Sequence, residues 1–183
     1  MINDIERRLL DGHMVTSGRR LVGHAARFGV PTRIDGEFTE TIYRGAFKRS
    51  LKANPDILGV IDHDMTRLLG RTRSGTLRLR EDDLGLAFEI DVPDTQTGRD
   101  VLALAERGDL GGMSFGFRVP PGGEEWNSSR SERMLRTIDL VEVSVISSFP
   151  AYPNTSVSAR SRHGSERSDL SRRIALLDLG GRT

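Results

Sequence analysis

The sequence has no cysteine, few aromatic residues and no excess of charge of either sign. Without cysteine there is no disulfide framework, no thiolate metal site and no thiol nucleophile, which is compatible with a reducing compartment. Lys+Arg 27 against Asp+Glu 26 leaves a net charge of +1, so no overall field directs the chain to nucleic acid or to a membrane. No apolar run approaches the ~20 residues of a spanning helix. The opening Met1-Ile2-Asn3-Asp4-Ile5-Glu6 lacks the basic-then-apolar layout of a secretory signal. No glycine loop of the phosphate-binding kind follows a strand, and no aromatic-basic array offers stacking platforms for bases. The expectation is a soluble, intracellular protein. A hydrophobic share of 36% is low for a packed domain, so part of the 183 residues should lie outside the core.

What is present centres on Gly111-Gly112-Met113-Ser114-Phe115-Gly116-Phe117. Met113, Phe115 and Phe117 alternate with Gly112, Ser114 and Gly116, the period of a strand with one face in a core. The other face is nearly bare. Its glycines supply no packing, but they leave room for a second backbone to lie beside one hydroxyl. Gly112 and Gly116 are therefore read as a substrate groove and Ser114 as a candidate nucleophile; a purely structural strand is the competing reading.

Around this strand the pattern is β-rich. Strands are expected at Leu21–Phe28, Phe38–Ile42 and Ile57–His63, with a meander from Leu68 to Val92 and a single long strand from Met134 to Ile146. Helices are expected at Gly45–Leu51, stopped by Asn54-Pro55, and at Thr97–Arg107, with Thr97 and Asp100 as a capping pair and Gly108 as the stop. Ile2, Ile5 and Leu9 recur at helical spacing, giving a short amphipathic helix or a frayed end. Residues 1–19 are read as a peripheral segment and 20–157 as the domain. Residues 158–183 are read as a Ser/Arg-rich linker followed by a short helix carrying Leu170, Ile174 and Leu177.

Three residues could carry chemistry together. His63 closes one apolar strand, Ser114 lies in a second and Glu142 sits among apolar neighbours in a third. A hydroxyl needs an imidazole to take its proton, and the imidazole needs a third group to fix its tautomer. A carboxylate at position 142 costs several kcal/mol unless paired; a histidine or one of the many arginines could serve. Asp62-His63-Asp64 also suggests a metal site, but strand alternation would send the three side chains to different faces.

The motifs Tyr43-Arg44-Gly45-Ala46-Phe47, Ile61-Asp62-His63-Asp64 with Leu69-Gly70, Leu84-Gly85-Leu86, Gly112 to Phe117, Asp139 to Ser144, and Phe149-Pro150-Ala151-Tyr152-Pro153 occur in a specific order. From about Val22 to Val157 the chain resembles the HK97-type prohead maturation proteases of tailed bacteriophages. The resemblance implies a serine endopeptidase with His63 as base, Ser114 as nucleophile and Glu142 as third member, needing neither cofactor nor metal. It implies a compact, mostly antiparallel β-barrel with flanking helices, like the herpesvirus assembly protease. It also implies action on the major capsid protein or its scaffold segment inside the procapsid, in the host cytoplasm, with self-association left open and no nucleic acid or membrane partner. The rival is an inactive scaffold or assembly module built on the same barrel. Self-cleavage is expected within the linker Ser156–Ser168, and the approach Ser147-Ser148-Phe149 departs from the family pattern where oxyanion donors would lie.

Overall fold

The computed structural model describes residues 5–10, 14–53 and 56–147. The chain enters through two short strands, β1 (Glu6–Leu10) and β2 (Val15–Ser17). It continues into β3 (Arg20–Arg27), β4 (Thr32–Ile34) and β5 (Phe38–Ile42), followed by helix α1 (Lys48–Lys52). Next come β6 (Leu58–Ile61), β7 (Asp64–Arg71), β8 (Leu77–Glu81) and β9 (Gly85–Asp91). Helix α2 (Gln96–Arg107) leads to β10 (Gly112–Arg118), β11 (Glu124–Trp126), β12 (Glu132–Leu135) and β13 (Asp139–Ile146).

These strands form three sheets, ordered β1-β10-β13-β6-β7, β11-β12-β5-β4 and β2-β3-β9-β8. The β12–β5 and β13–β6 pairs are parallel and the other pairs antiparallel. The β-rich, mostly antiparallel character is as expected. Hydrogen-bonded closure into one barrel is not found among the described residues, because each sheet ends in its own edge strands. One apolar core joins the sheets: Leu21, Leu86 and Ile90 meet Phe47, Phe115, Phe117, Val143 and Val145 there, all buried. Phe115 stacks on Phe117 with centroids 5.2 Å apart and meets Phe47 edge-on at 5.7 Å. Each such ring is worth about 1.5–3 kcal/mol in burial.

Several expectations shift at element boundaries. The N-terminal apolar spacing yields strand β1, not a helix, because a few isolated residues cannot offset helix nucleation whereas the edge of β10 offers ready backbone partners. The cap of α2 is Thr95, whose hydroxyl accepts the N–H of Gly98 at 3.2 Å. Gly108 ends the helix in the left-handed conformation, as anticipated. The Leu68–Val92 meander is divided: β8 pairs with β9, but β7 pairs with β6 in another sheet. The single strand expected from Met134 to Ile146 is two strands, β12 and β13. The linker, the apolar stripe beyond it and the Phe149-Pro150 exit lie outside the described residues, as does Asn54-Pro55.

Candidate active site

β10 is the inner strand that the site is built on, with β13 on one side and β1 on the other. Its apolar face is held in the core by Met113, Phe115 and Phe117, so the alternate residues Ser114 and Gly116 must face the other way. Directly opposed residues of paired strands share a face. Ser114 opposes Ser144 and Gly116 opposes Glu142, which brings all four to one side of the sheet. A bulge ends this regular register. Gly116 and Phe117 pair with Glu142 and Leu140, leaving Val141 as the extra residue. Simple alternation would align Leu140 with Glu142; the bulge instead pairs Leu140 with Phe117 and leaves Glu142 on the Ser114 side. Ser50 of α1 secures this point, its hydroxyl accepting the buried N–H of Leu140 at 2.9 Å.

His63 does not end a strand. Asp62 and His63 are the two central residues of the tight turn between β6 and β7, with φ of 50° and 60°. Positive φ at both positions is the two-residue hairpin geometry that matches strand twist, and non-glycine residues adopt it at a cost. The turn is pinned to β13. The N–H of Asp62 donates to the carbonyl of Val145 at 2.9 Å, and the N–H of His63 donates to Ser144 Oγ at 2.9 Å. The Asp62 carboxylate accepts from the N–H of Ser147 at 2.8 Å, from its hydroxyl at 2.6 Å and from Arg67 at 3.0 Å. Asp64 turns away, accepting from the N–H and hydroxyl of Thr66, which hold its carboxyl below the usual range. The triplet Asp62-His63-Asp64 therefore diverges and forms no shared ligand set.

The imidazole of His63 is 21% exposed, and its Nδ1 lies 2.7 Å from Oε1 of Glu142, which is 0% exposed. An ionised carboxylate only accepts, so Nδ1 is the donor in this contact, and in the neutral imidazole that places the lone pair on Nε2. Both partners considered for the buried carboxylate are present: histidine in a hydrogen bond, and Arg7 of β1 with Nε at 3.8 Å from the same oxygen. Gly116 explains how Glu142 fits. A Cβ at that position would lie 2.4 Å from Oε1 and 3.1 Å from Cγ and Cδ. The bare surface expected there as substrate groove is occupied by the chain's own Glu142 carboxylate.

Ser114 is buried, and its hydroxyl donates to the carbonyl of Arg8 at 2.8 Å, so its single proton points to β1 and not to His63. Gly112, the other groove residue, opens β10 opposite Ile146 with φ of 124°. Reading the residues assigned no role to Ser144 or Arg7 and weighed Asp62 only as a metal ligand. The only available cue was that Asp and His tolerate positive φ better than most residues.

A hydroxyl, an imidazole and a buried carboxylate borne by three adjoining elements are the groups used by hydrolases that act through a serine. The chain belongs to the caudovirus prohead serine protease family, which it matches over residues 4–169. Among solved structures it is similar to the capsid assembly protease of bacteriophage T4, with a TM-score of 0.52 and 12% identity, over 80% of this chain and 96% of that one. At that identity the likeness is one of fold. No curated protein matches the sequence.

Proposed function

We propose that this chain is the endopeptidase that trims capsid or scaffold polypeptides inside the immature shell, with Ser114 as nucleophile, His63 as base and Glu142 as the group that orients His63. The observation that carries this reading is the 2.7 Å contact between His63 Nδ1 and the fully buried Glu142 carboxylate. It leaves Nε2 as the basic nitrogen, and the carboxylate stabilises the imidazolium formed when Nε2 takes a proton. In the reaction, the Ser114 hydroxyl leaves the Arg8 carbonyl and gives its proton to Nε2 as Oγ bonds the scissile carbonyl carbon. The peptide C–N bond then breaks, and Nε2 returns the proton to the departing amine. Water, deprotonated by the same nitrogen, hydrolyses the ester and restores the hydroxyl. None of these steps calls for a cofactor. Kinship in fold with the herpesvirus assembly protease belongs to the same reading and would be decided by superposing an experimental structure on that enzyme.

The test is incubation of the full chain with its candidate capsid protein, followed by intact mass. The expected result is a shortened capsid protein with native enzyme and an unchanged one with Ser114→Ala. Equal shortening by both would move the nucleophile elsewhere, and no shortening by either would favour the inactive assembly module.

A further inference from the structure

We propose that β1 is a tethered imitation of the substrate, and that Glu40 is the specificity residue that holds a basic side chain at the position whose carbonyl faces Ser114. This rests on the reading of Ser114 as nucleophile given above. With β1 lifted away, β10 would be an edge strand on the side opposite β13. An extended polypeptide can pair with such an edge through its backbone. β1 does so antiparallel, from Glu6 opposite Phe117 to Leu10 opposite Met113. The one carbonyl that takes the Ser114 proton belongs to Arg8. In a bound substrate, the residue in that place would be the one whose carbonyl is attacked.

The Arg8 side chain shows what the place accepts. It leaves the Ser114 face and is buried, with Nε 2.6 Å and one terminal nitrogen 2.8 Å from the two oxygens of Glu40. Glu40 is itself 3% exposed. The guanidinium also lies 5.3 Å from the Phe117 ring centroid, the geometry of a cation over an aromatic face. The fork-to-fork pairing favours a planar guanidinium over an ammonium. The site does not depend on β1 for its charge. Glu40 and Glu124 remain when β1 is removed, with Arg133 bound to both. Two carboxylates against one guanidinium leave a charge of −1 to be matched by the incoming side chain. A buried carboxylate of this kind discriminates against a neutral occupant, because it would be left partly unpaired.

Binding to the full chain carrying Ser114→Ala tests this without requiring catalysis. The probes are a labelled hexapeptide copying residues 5–10 and its twin with citrulline, the neutral isostere of arginine, in place of Arg8. The arginine peptide should bind about tenfold to a hundredfold more tightly, as expected of a charge-assisted hydrogen bond. Adding Glu40→Gln should bring the two affinities within about twofold, judged against the loss expected for one charged contact. Adding Arg8→Gln instead should loosen β1 and tighten both peptides by a common factor, because the competing strand acts at a high effective concentration. Equal affinities for the two peptides, or binding of neither, would overturn the proposal. That comparison is made with Glu40 intact, so it stands whether or not the Glu40 variant folds. If the arginine preference holds but the native chain cuts no capsid protein, the peptidase reading fails while the pocket survives. If capsid protein is cut and the preference is absent, only the pocket is lost.

Discussion

Gly116→Ala tests the construction of the site more sharply than removal of a reacting group. The added Cβ would sit 2.4 Å from Glu142 Oε1 and 3.1 Å from both Cγ and Cδ, so displacing the tip of the side chain alone does not relieve the clash. Ordinary contact needs about 3.4 Å or more, which requires a shift of roughly 1 Å at Oε1. Glu142 is fully buried and has no solvent to swing into. A shift of that size stretches the 2.7 Å bond to His63 beyond hydrogen-bonding range. Overpacking should cost about 1–3 kcal/mol, and loss of a charge-assisted bond about 1.5–3 kcal/mol. The gain from replacing glycine in a strand is about 0.5–1 kcal/mol and does not offset them. With the imidazole no longer oriented, kcat should fall by about 10²–10⁴, approaching the effect of a lost third member. The assay pairs urea unfolding with steady-state cleavage of a capsid-derived substrate. Glu142→Asp in the same chain shortens the carboxylate arm, so the double variant should recover stability relative to Gly116→Ala alone. A stable Gly116→Ala enzyme of full activity would refute the reasoning.

Other outcomes follow from the same contacts. Ser114→Ala should fold normally and lose cleavage by several orders of magnitude, read by intact mass of the substrate. Glu142→Gln keeps shape and loses charge, so its kcat should fall less than that of His63→Ala; an unimpaired enzyme would transfer the orienting role elsewhere. Ser144→Ala removes the acceptor for the His63 N–H, and denaturant unfolding should show a loss of about 1–3 kcal/mol. The Glu6 carboxyl is opposed by burial but held below its ordinary value overall by Arg133 and Arg8. Its contribution to anchoring β1 is therefore complete above the unfolded carboxyl pKa and is lost as pH falls through the folded one. Protection of the β1 amides, taken relative to the intrinsic base-catalysed exchange rate, should fall on acidification and stay flat above about pH 5; a fall in protection on the alkaline side would contradict the sign.

The sequence was most legible where local and global preferences agree. Met113, Phe115 and Phe117 announce β10 because alternation and core burial ask for the same residues, and Gly108 announces the end of α2 because its left-handed φ suits glycine. Among the candidate site residues, His63 and Glu142 could be singled out, but the residues alone left histidine and arginine open as partners of Glu142, and only the family resemblance joined the two. Their contact depends on a parallel pairing of β13 with β6 across 79 positions of sequence, which no local pattern encodes. The bulge at Val141 was equally hidden, since Leu140-Val141-Glu142-Val143 reads as uninterrupted alternation. β1 was misread for a third reason. Its strand conformation comes from the edge of β10 and from Arg8 meeting Glu40, not from its own five residues.

The placement of His63 in a turn resolves a difficulty that strand geometry poses for any three-residue site. Strand side chains point along only two directions, so a hydroxyl and a carboxylate on neighbouring strands leave an imidazole from a third strand little choice of approach. A tight turn at the end of β6 frees the imidazole from that alternation, but it holds Asp62 and His63 at positive φ, which costs each about 1–2 kcal/mol. Such strain persists only when the surroundings over-determine the conformation. Here the backbone N–H groups of both residues, the Asp62 carboxylate and the His63 ring are each bound to a residue between Glu142 and Ser147. β13 and the residue that follows it therefore supply both the Glu142 carboxylate and the anchors of the turn. Any shift of β13 along β10 would move His63 and Glu142 together, preserving their 2.7 Å contact while changing their distance from Ser114. The register of the β10–β13 pair, fixed by the bulge at Val141 and by Ser50 on Leu140, is thus what sets the relation of the proposed nucleophile, Ser114, to the proposed base, His63. On this reasoning Ser50→Ala, more than 60 residues from Ser114 in sequence, should lower kcat while leaving the binding of the arginine peptide unchanged. An equal loss in both would show that Ser50 merely supports the fold.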